Sequence, residues 1–384
     1  MTRKIDDTTR YDRLLARYRE GDLDRRTFLG LIGAAGLAYG VQTPFARHAH
    51  AQEVAEVRFD GWGGVVSEAF REHAFAPYTE KTGIEVVDGT FSGGDEYLAQ
   101  VRASQPGAYN IAHLSGVFDY ARYKNFELTT ELDLANIPNF ELVMPTLVEP
   151  YRAITPDALS GVPYDYGTTG LAYNRAQISD EEMQEKGARI LLDAAYEGKI
   201  GGWSDWRTRI WYGALQTGQD PNAIEDMEAV WDAIRTHRDL ALKYWTSGAE
   251  LMSLLAEGEI WVTEGWSGRI AALQQQGHDI GYYDPPNGFG WQECLFVIKG
   301  SPVSACEELL NFMLAPETSI AVAEGQNYPP ALDPTKVDLG DKIPTLPAFD
   351  PTGTLSNLTF ADPGYWNGNE AEWSKEFGRV ARGY

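Results

Sequence analysis

The stretch Gly161-Val-Pro-Tyr-Asp-Tyr-Gly-Thr-Thr-Gly-Leu-Ala-Tyr-Asn174 constrains this fold more than any other. It opens beside a proline with no N–H for a sheet ladder, passes two glycines, and ends on the alternating Leu171 and Tyr173. That pattern predicts a crossover between two halves rather than a core strand. Strand and helix signals of the same kind lie on both sides of it, so the expected architecture is α/β with two lobes. Each lobe is a mixed, mostly parallel sheet flanked by helices, and a cleft between them is where a small ligand sits. With 384 residues, the chain exceeds what one small core organises.

Residues 1–51 read as an address. Arg25 and Arg26 stand just before an apolar run from Leu29 to Val41, and Ala49-His50-Ala51 supplies a small-x-small cleavage site. This is the form of a twin-arginine export signal, with cleavage expected before Gln52 and the periplasm as destination. The run of 13 residues falls short of the roughly 20 that span a bilayer, so no permanent anchor is expected.

The whole chain carries a net charge of −24. Residues 1–51 hold nine basic and six acidic side chains, so the remainder is near −27. Such a surface repels phosphates and anionic lipid heads, which excludes nucleic acid and membrane surfaces as expected partners. A disulfide between Cys294 and Cys306 would close a short loop in an oxidising compartment, but placement on a strand and at a helix start argues for keeping them apart.

The first half opens as βαβ: a strand from Val57 to Trp62, a helix from Val65 to Thr82, and a strand from Ile84 to Asp88. A helix over 94–104 and a strand over 110–115 follow. Helices are expected over 180–196, 224–244 and 248–257, and strands over 259–264, 279–283 and 291–299, the last crossing back into the first lobe. The lobes then comprise 52–160 with 290–331, and 161–289 with 332–384. Trp62, Ser92 and Ser115 fall beyond the carboxyl ends of strands, where open sheets collect ligands.

Trp62, Trp206, Trp266 and Trp291 all fall at strand ends or helix starts, where aromatic faces suit an amine. Glu293 stands two residues after Trp291, on the same face of a strand. Asp205 reads as a helix cap. Arg209 and Arg269 open helices, where the dipole gives a cation nothing, so each calls for an anion nearby. His113 reads as structural. No nucleophile elbow, zinc-protease helix, phosphate loop or spaced Cys/His set is present, so neither an enzyme nor a cofactor is expected.

Trp62, the Val162-Pro-Tyr crossover, Gly265-Trp-Ser-Gly268, Phe289-Gly-Trp-Gln-Glu293 and Asn327-Tyr-Pro-Pro330 occur in an order that resembles the spermidine/putrescine-binding receptors of bacterial ABC importers. The resemblance implies a type II-like periplasmic-binding-protein fold. Its lobes would close over a small organic solute and then dock, as a monomer, on a membrane permease. It also implies that Trp62, Ser115, Trp266, Trp291 and Tyr328 box the methylene chain or contact an amine, with Glu293 gripping an ammonium group. Arg209 and Arg269 stand where that family carries carboxylates. A guanidinium there repels an ammonium by several kcal/mol at ~4 Å and an effective dielectric of ~20, which turns the expectation toward a zwitterionic or anionic amine-bearing solute. The alternatives are a true polyamine binder, a ferric-iron receptor using Tyr282-Tyr283, and an exported enzyme on the same scaffold.

Overall fold

A computed structural model describes residues 54–382; the expected export signal lies outside the described residues. Val57 and Phe59 bury alternate positions of β1 (Glu56–Gly61). A helical run over 65–82 follows, its middle turn Arg71–Phe75 widened to a π-helix. It leads to β2 (Glu85–Thr90), the helix Gly94–Ala103, β3 (Ile111–Ser115) and the helix Gly116–Asn125. β1 pairs in parallel with both β2 and β3, as the alternation of strand and helix predicts.

The stretch Gly161–Asn174 corrects its expectation. It is no irregular crossover but one 14-residue strand, β4, buried at every position except its last. β4 pairs antiparallel with β9 (Phe289–Val297), β7 (Val262–Trp266) and β8 (Ile280–Tyr283). Pro163 is accommodated because the register with β9 shifts between Pro163 and Asp165, and a bulge is where a residue without an N–H costs the ladder least. β4 still links the two halves: Val162, Tyr164 and Tyr166 pack in one hydrophobic core, Leu171 and Tyr173 in another. β9 is the strand expected to cross back.

Beyond β4 come β5 (Ile200–Trp203), the helix Trp206–Thr217, the helix Met227–Leu240, β6 (Ala241–Trp245) and the helix Gly248–Ala256. β7 and the helix Ser267–Gln275 follow. The strands form one sheet in the order β2-β1-β3-β9-β4-β7-β5-β6, with β8 on β4 and β10 (Thr359–Phe360) on β9. Two helices are shorter than expected. The helix over 224–244 stops at Leu240, because Ala241–Trp245 adds an edge strand parallel to β5. The helix over 180–196 stops at Lys186, where Gly187 takes φ 51°, and continues as short 3-10 turns.

The larger core gathers Phe59, Phe70, Ile111, Leu114 and Phe296, and a second gathers Trp211, Tyr212, Ile234 and Val262. The tail expected wholly in the second lobe divides. Leu355 joins the first core, whereas Trp366, Trp373 and Val380, on the helix Pro363–Arg382, join the second. Cys294 on β9 and Cys306 in the helix Val303–Met313 are buried free thiols.

Candidate functional site

A cavity of about 300 Å³ lies where the carboxyl end of β3, the turn after β1, the β4–β9 ladder and the starts of the helices after β5 and β7 converge. Trp62, Ser115, Trp206, Trp266, Arg269, Trp291, Glu293 and Tyr328 all line it. Sheet geometry explains the gathering. Trp62, Ser115 and Trp266 each fall where a strand gives way to a turn or helix, and Trp291 and Glu293 are alternate residues of β9. The volume sits at the lower end for small-molecule sites, so it suits a compact solute.

The aromatic walls are built from neighbouring rings. Trp62 lies 6.3 Å from Trp266 and 4.9 Å from Phe91 between ring centroids. Trp291 meets Tyr328 edge-on at 5.0 Å, and Trp206 lies 6.1 Å from Trp366. The indole nitrogens of Trp206 and Trp291 are buried without a hydrogen-bond partner in the protein, so both are free to donate to a ligand.

Charge is distributed at two ends. At one, Trp62 Nε1 donates to Glu293 Oε2 at 2.7 Å, and His113 Nε2 lies 2.8 Å from the same oxygen and 3.3 Å from Asp165 Oδ2. Burial opposes a charge on His113, but Glu293 and Asp165 outweigh it and raise its pKa to about 10. Burial likewise raises Glu293, with His113 pulling it back. Glu293 thus already accepts from Trp62 and lies at ion-pair distance from His113, so it is not the bare ammonium acceptor that the resemblance implies. Arg269 stands beside Tyr328 at this end; its Nη2 donates to the carbonyl of Gly63 at 3.3 Å, and its Nη1 is buried without a partner.

At the other end, Arg207 lies with its guanidinium 3.8 Å from the centre of the Phe118 ring and 5.0 Å from that of Trp206. It is 3.6 Å from both Asp95 and Asp205, and its Nε and Nη2 have no hydrogen-bond partner. Arg122 pairs with Asp95 at 2.8 Å, Asp119 at 3.0 Å and Glu370 at 3.0 Å. Burial raises the carboxyls of Asp119 and Asp205, each moderated by Arg207. Asp205 is also the expected cap, accepting from the Thr208 N–H at 2.9 Å.

Arg209 corrects its expectation. It is buried and absent from the cavity wall, with Nη1 3.1 Å from Glu264 Oε1 and 2.8 Å from His237 Nε2. Its anion is internal. Burial and the neighbouring Arg209 push His237 well below its usual pKa, so this imidazole is neutral. The guanidinium that this helix presents to the cavity is instead Arg207, which sequence reasoning missed. The signal available was Glu264: a carboxylate buried within a strand demands a cation, and Arg209 answers it. Asp119, Trp203, Trp366 and Phe377 also line the cavity without having been singled out for it. Tyr282 donates its hydroxyl to the Thr168 carbonyl at 3.0 Å, and neither Tyr282 nor Tyr283 lines the cavity, so the ferric-iron reading gains no support.

Residues 73–351 match the model of the bacterial extracellular solute-binding protein family. The chain belongs to that family. It is 21% identical over 303 residues to the spermidine/putrescine-binding periplasmic protein of Escherichia coli strain K12, covering 78% of this chain and 82% of that one. It is 23% identical over 364 residues to the gamma-aminobutyric acid-binding protein of Pseudomonas aeruginosa, covering 88% and 94%. Among solved structures, the binding protein MotA from A. tumefaciens B6 in complex with glucopine aligns with a TM-score of 0.71 at 20% identity, covering 85% of this chain and 99% of that one. The fold is therefore the two-lobed periplasmic-binding-protein fold. Among the described residues, no helix is long and apolar enough to cross a membrane.

Proposed function

We propose that this chain is the solute-binding receptor of an ABC importer of the spermidine/putrescine type, and that its solute is a small amine carrying an anionic group as well. The observation that carries the second half is the pair of cavity guanidiniums, Arg207 and Arg269, each retaining N–H groups without a partner among indole rings. Such groups favour a carboxylate, sulfonate or phosphonate. The indole faces of Trp206 and Trp266 suit the positive nitrogen. The relatives named for gamma-aminobutyric acid and for polyamines support both halves of that description.

In this reading the protein is exported by the twin-arginine route, is cleaved before Gln52 and works in the periplasm as a monomer without enzymatic activity. Its two lobes, hinged on β4 and β9, close on the solute, and the closed form is what the permease recognises. Calorimetric titration with putrescine, spermidine, ω-amino acids, betaines and amino-sulfonates tests it. An ω-amino acid or betaine should bind at least about tenfold tighter than the diamine of matched length. Tighter spermidine binding would return the polyamine as solute and keep the receptor.

A further inference from the structure

Asp165 on β4 pairs with Glu293 on β9, which pairs on its other side with Ser115 on β3. His113 lies two residues before Ser115, so its side chain leaves β3 on the same face. The register alone brings three titratable groups together at the cavity wall, all buried. Their contacts converge on His113 Nε2, which lies at ion-pair distance from both carboxylates without a hydrogen-bond partner of its own. Glu293 Oε2 meets His113 at 2.8 Å and accepts from Trp62 at 2.7 Å; Asp165 Oδ2 meets His113 at 3.3 Å and accepts from Gln326 Nε2 at 2.6 Å. Two buried carboxylates repel one another and require a counter-charge.

We propose that His113 is a specificity-determining residue: as an imidazolium between Asp165 and Glu293 it fills the place a ligand ammonium would take, and so discriminates against diamines and triamines. Glu293, held by His113, orients the Trp62 indole instead of gripping the solute. The ligand's positive nitrogen is left to the indole faces away from His113, while Arg269 near the His113 end receives the anion. This rests on the receptor reading and explains how a polyamine-type scaffold would favour a zwitterion.

The charge state is read directly by nitrogen-15 NMR of the imidazole ring in the ligand-free protein. Both ring nitrogens of His113 should stay protonated between about pH 6 and 8, although a free histidine titrates near 6.5. A neutral ring at pH 7, or a ring that loses its proton to added zinc ion, overturns the proposal; the latter would make the cluster a metal site. Calorimetry supplies the second arm. His113→Asn should bind putrescine about tenfold or more tightly than the parent, the contribution of one charge-assisted hydrogen bond. Adding Glu293→Gln to that variant should remove the gain. A folded His113→Asn protein with parental putrescine affinity also overturns it, and if the variant does not fold the ring protonation decides. Failure of the zwitterion to bind the parent would sink the solute reading above and leave both of these readouts intact.

Discussion

Trp62 and Glu293, 231 residues apart in the chain, share a hydrogen bond of 2.7 Å in which the indole N–H donates to the carboxylate. The bond runs from the turn after the first strand to the strand that returns late in the sequence, and it fixes the ring that faces Trp266 across the cleft. That bond lies within one half, whereas three contacts reach across to the other: Arg269 to the Gly63 carbonyl, Arg207 to Asp95, and Arg122 to Glu370. Closure therefore combines one guanidinium-to-carbonyl hydrogen bond with two ion pairs, and the ion pairs weaken most with salt.

Trp62→Phe isolates the role of that N–H, because the ring and its packing remain. Solute affinity should fall about tenfold, the scale of one hydrogen bond to a charged group. Titration calorimetry on the folded variant measures it. Unchanged affinity would mean that packing alone orients the ring.

Much of this was legible in the chain. The parallel β1–β2–β3 opening followed from strand, helix and strand signals in sequence. Eight of the nine expected site residues came to one cavity, seven because they fall at strand ends and helix starts or alternate on β9, and Tyr328 from the loop after the helix Pro316–Gln326. Three features were not. β4 reads as irregular because Pro163 and the glycines contradict a strand locally, and only the bulge against β9 reconciles them. β6 is an edge strand whose ALKYW run continues helical spacing, so tertiary pairing with β5 decides it. Arg207 and Arg209 lie two residues apart on one helix and so point in different directions, and which faces the cleft depends on where Glu264 sits across the sheet.

That exchange of roles separates the two arginines in experiment. Arg209→Met strands Glu264 in the interior and should cost roughly 3–5 kcal/mol of stability, the penalty for breaking a buried pair. The fraction that stays folded should bind with parental affinity. Arg269→Met, with one protein contact to lose, should leave stability within about 1 kcal/mol and weaken an anionic solute at least tenfold by the loss of a charge-assisted contact. Urea unfolding with calorimetry on both variants checks the pair, and a large affinity loss in Arg209→Met alone would place that residue back in the site.

Protonation of His113 links stability to pH. Its folded pKa, about 10, lies above the unfolded value of about 6.5. A raised histidine contributes stability that is fully present below the unfolded value and is lost as pH rises through the folded one. Glu293, raised by burial, acts in the same direction from the carboxylate range upward. The protein should therefore lose stability steadily between about pH 6.5 and 10, and His113→Gln should flatten the curve in that window. Denaturant midpoints measured across the window test the slope.

Gly268, in the first turn of the helix after β7, lies against Tyr328 so closely that an added Cβ would stand 2.5 Å from the ring. Tyr328 in turn meets Trp291 edge-on at 5.0 Å, so a displaced Tyr328 disturbs the aromatic box. Gly268→Ala introduces one methyl group where no side chain can simply rotate away, because Tyr328 is 5% exposed. Overpacking of this kind costs about 1–3 kcal/mol, and since the clash joins the second wall to the cavity it should appear largely in solute affinity and a faster off-rate. Truncating the partner makes room: in the double variant Gly268→Ala/Tyr328→Ala the glycine substitution should add no further penalty to Tyr328→Ala. Such non-additivity is the mark of direct contact. Stopped-flow tryptophan fluorescence on the four proteins completes the cycle, and additive losses would show that the methyl acts elsewhere.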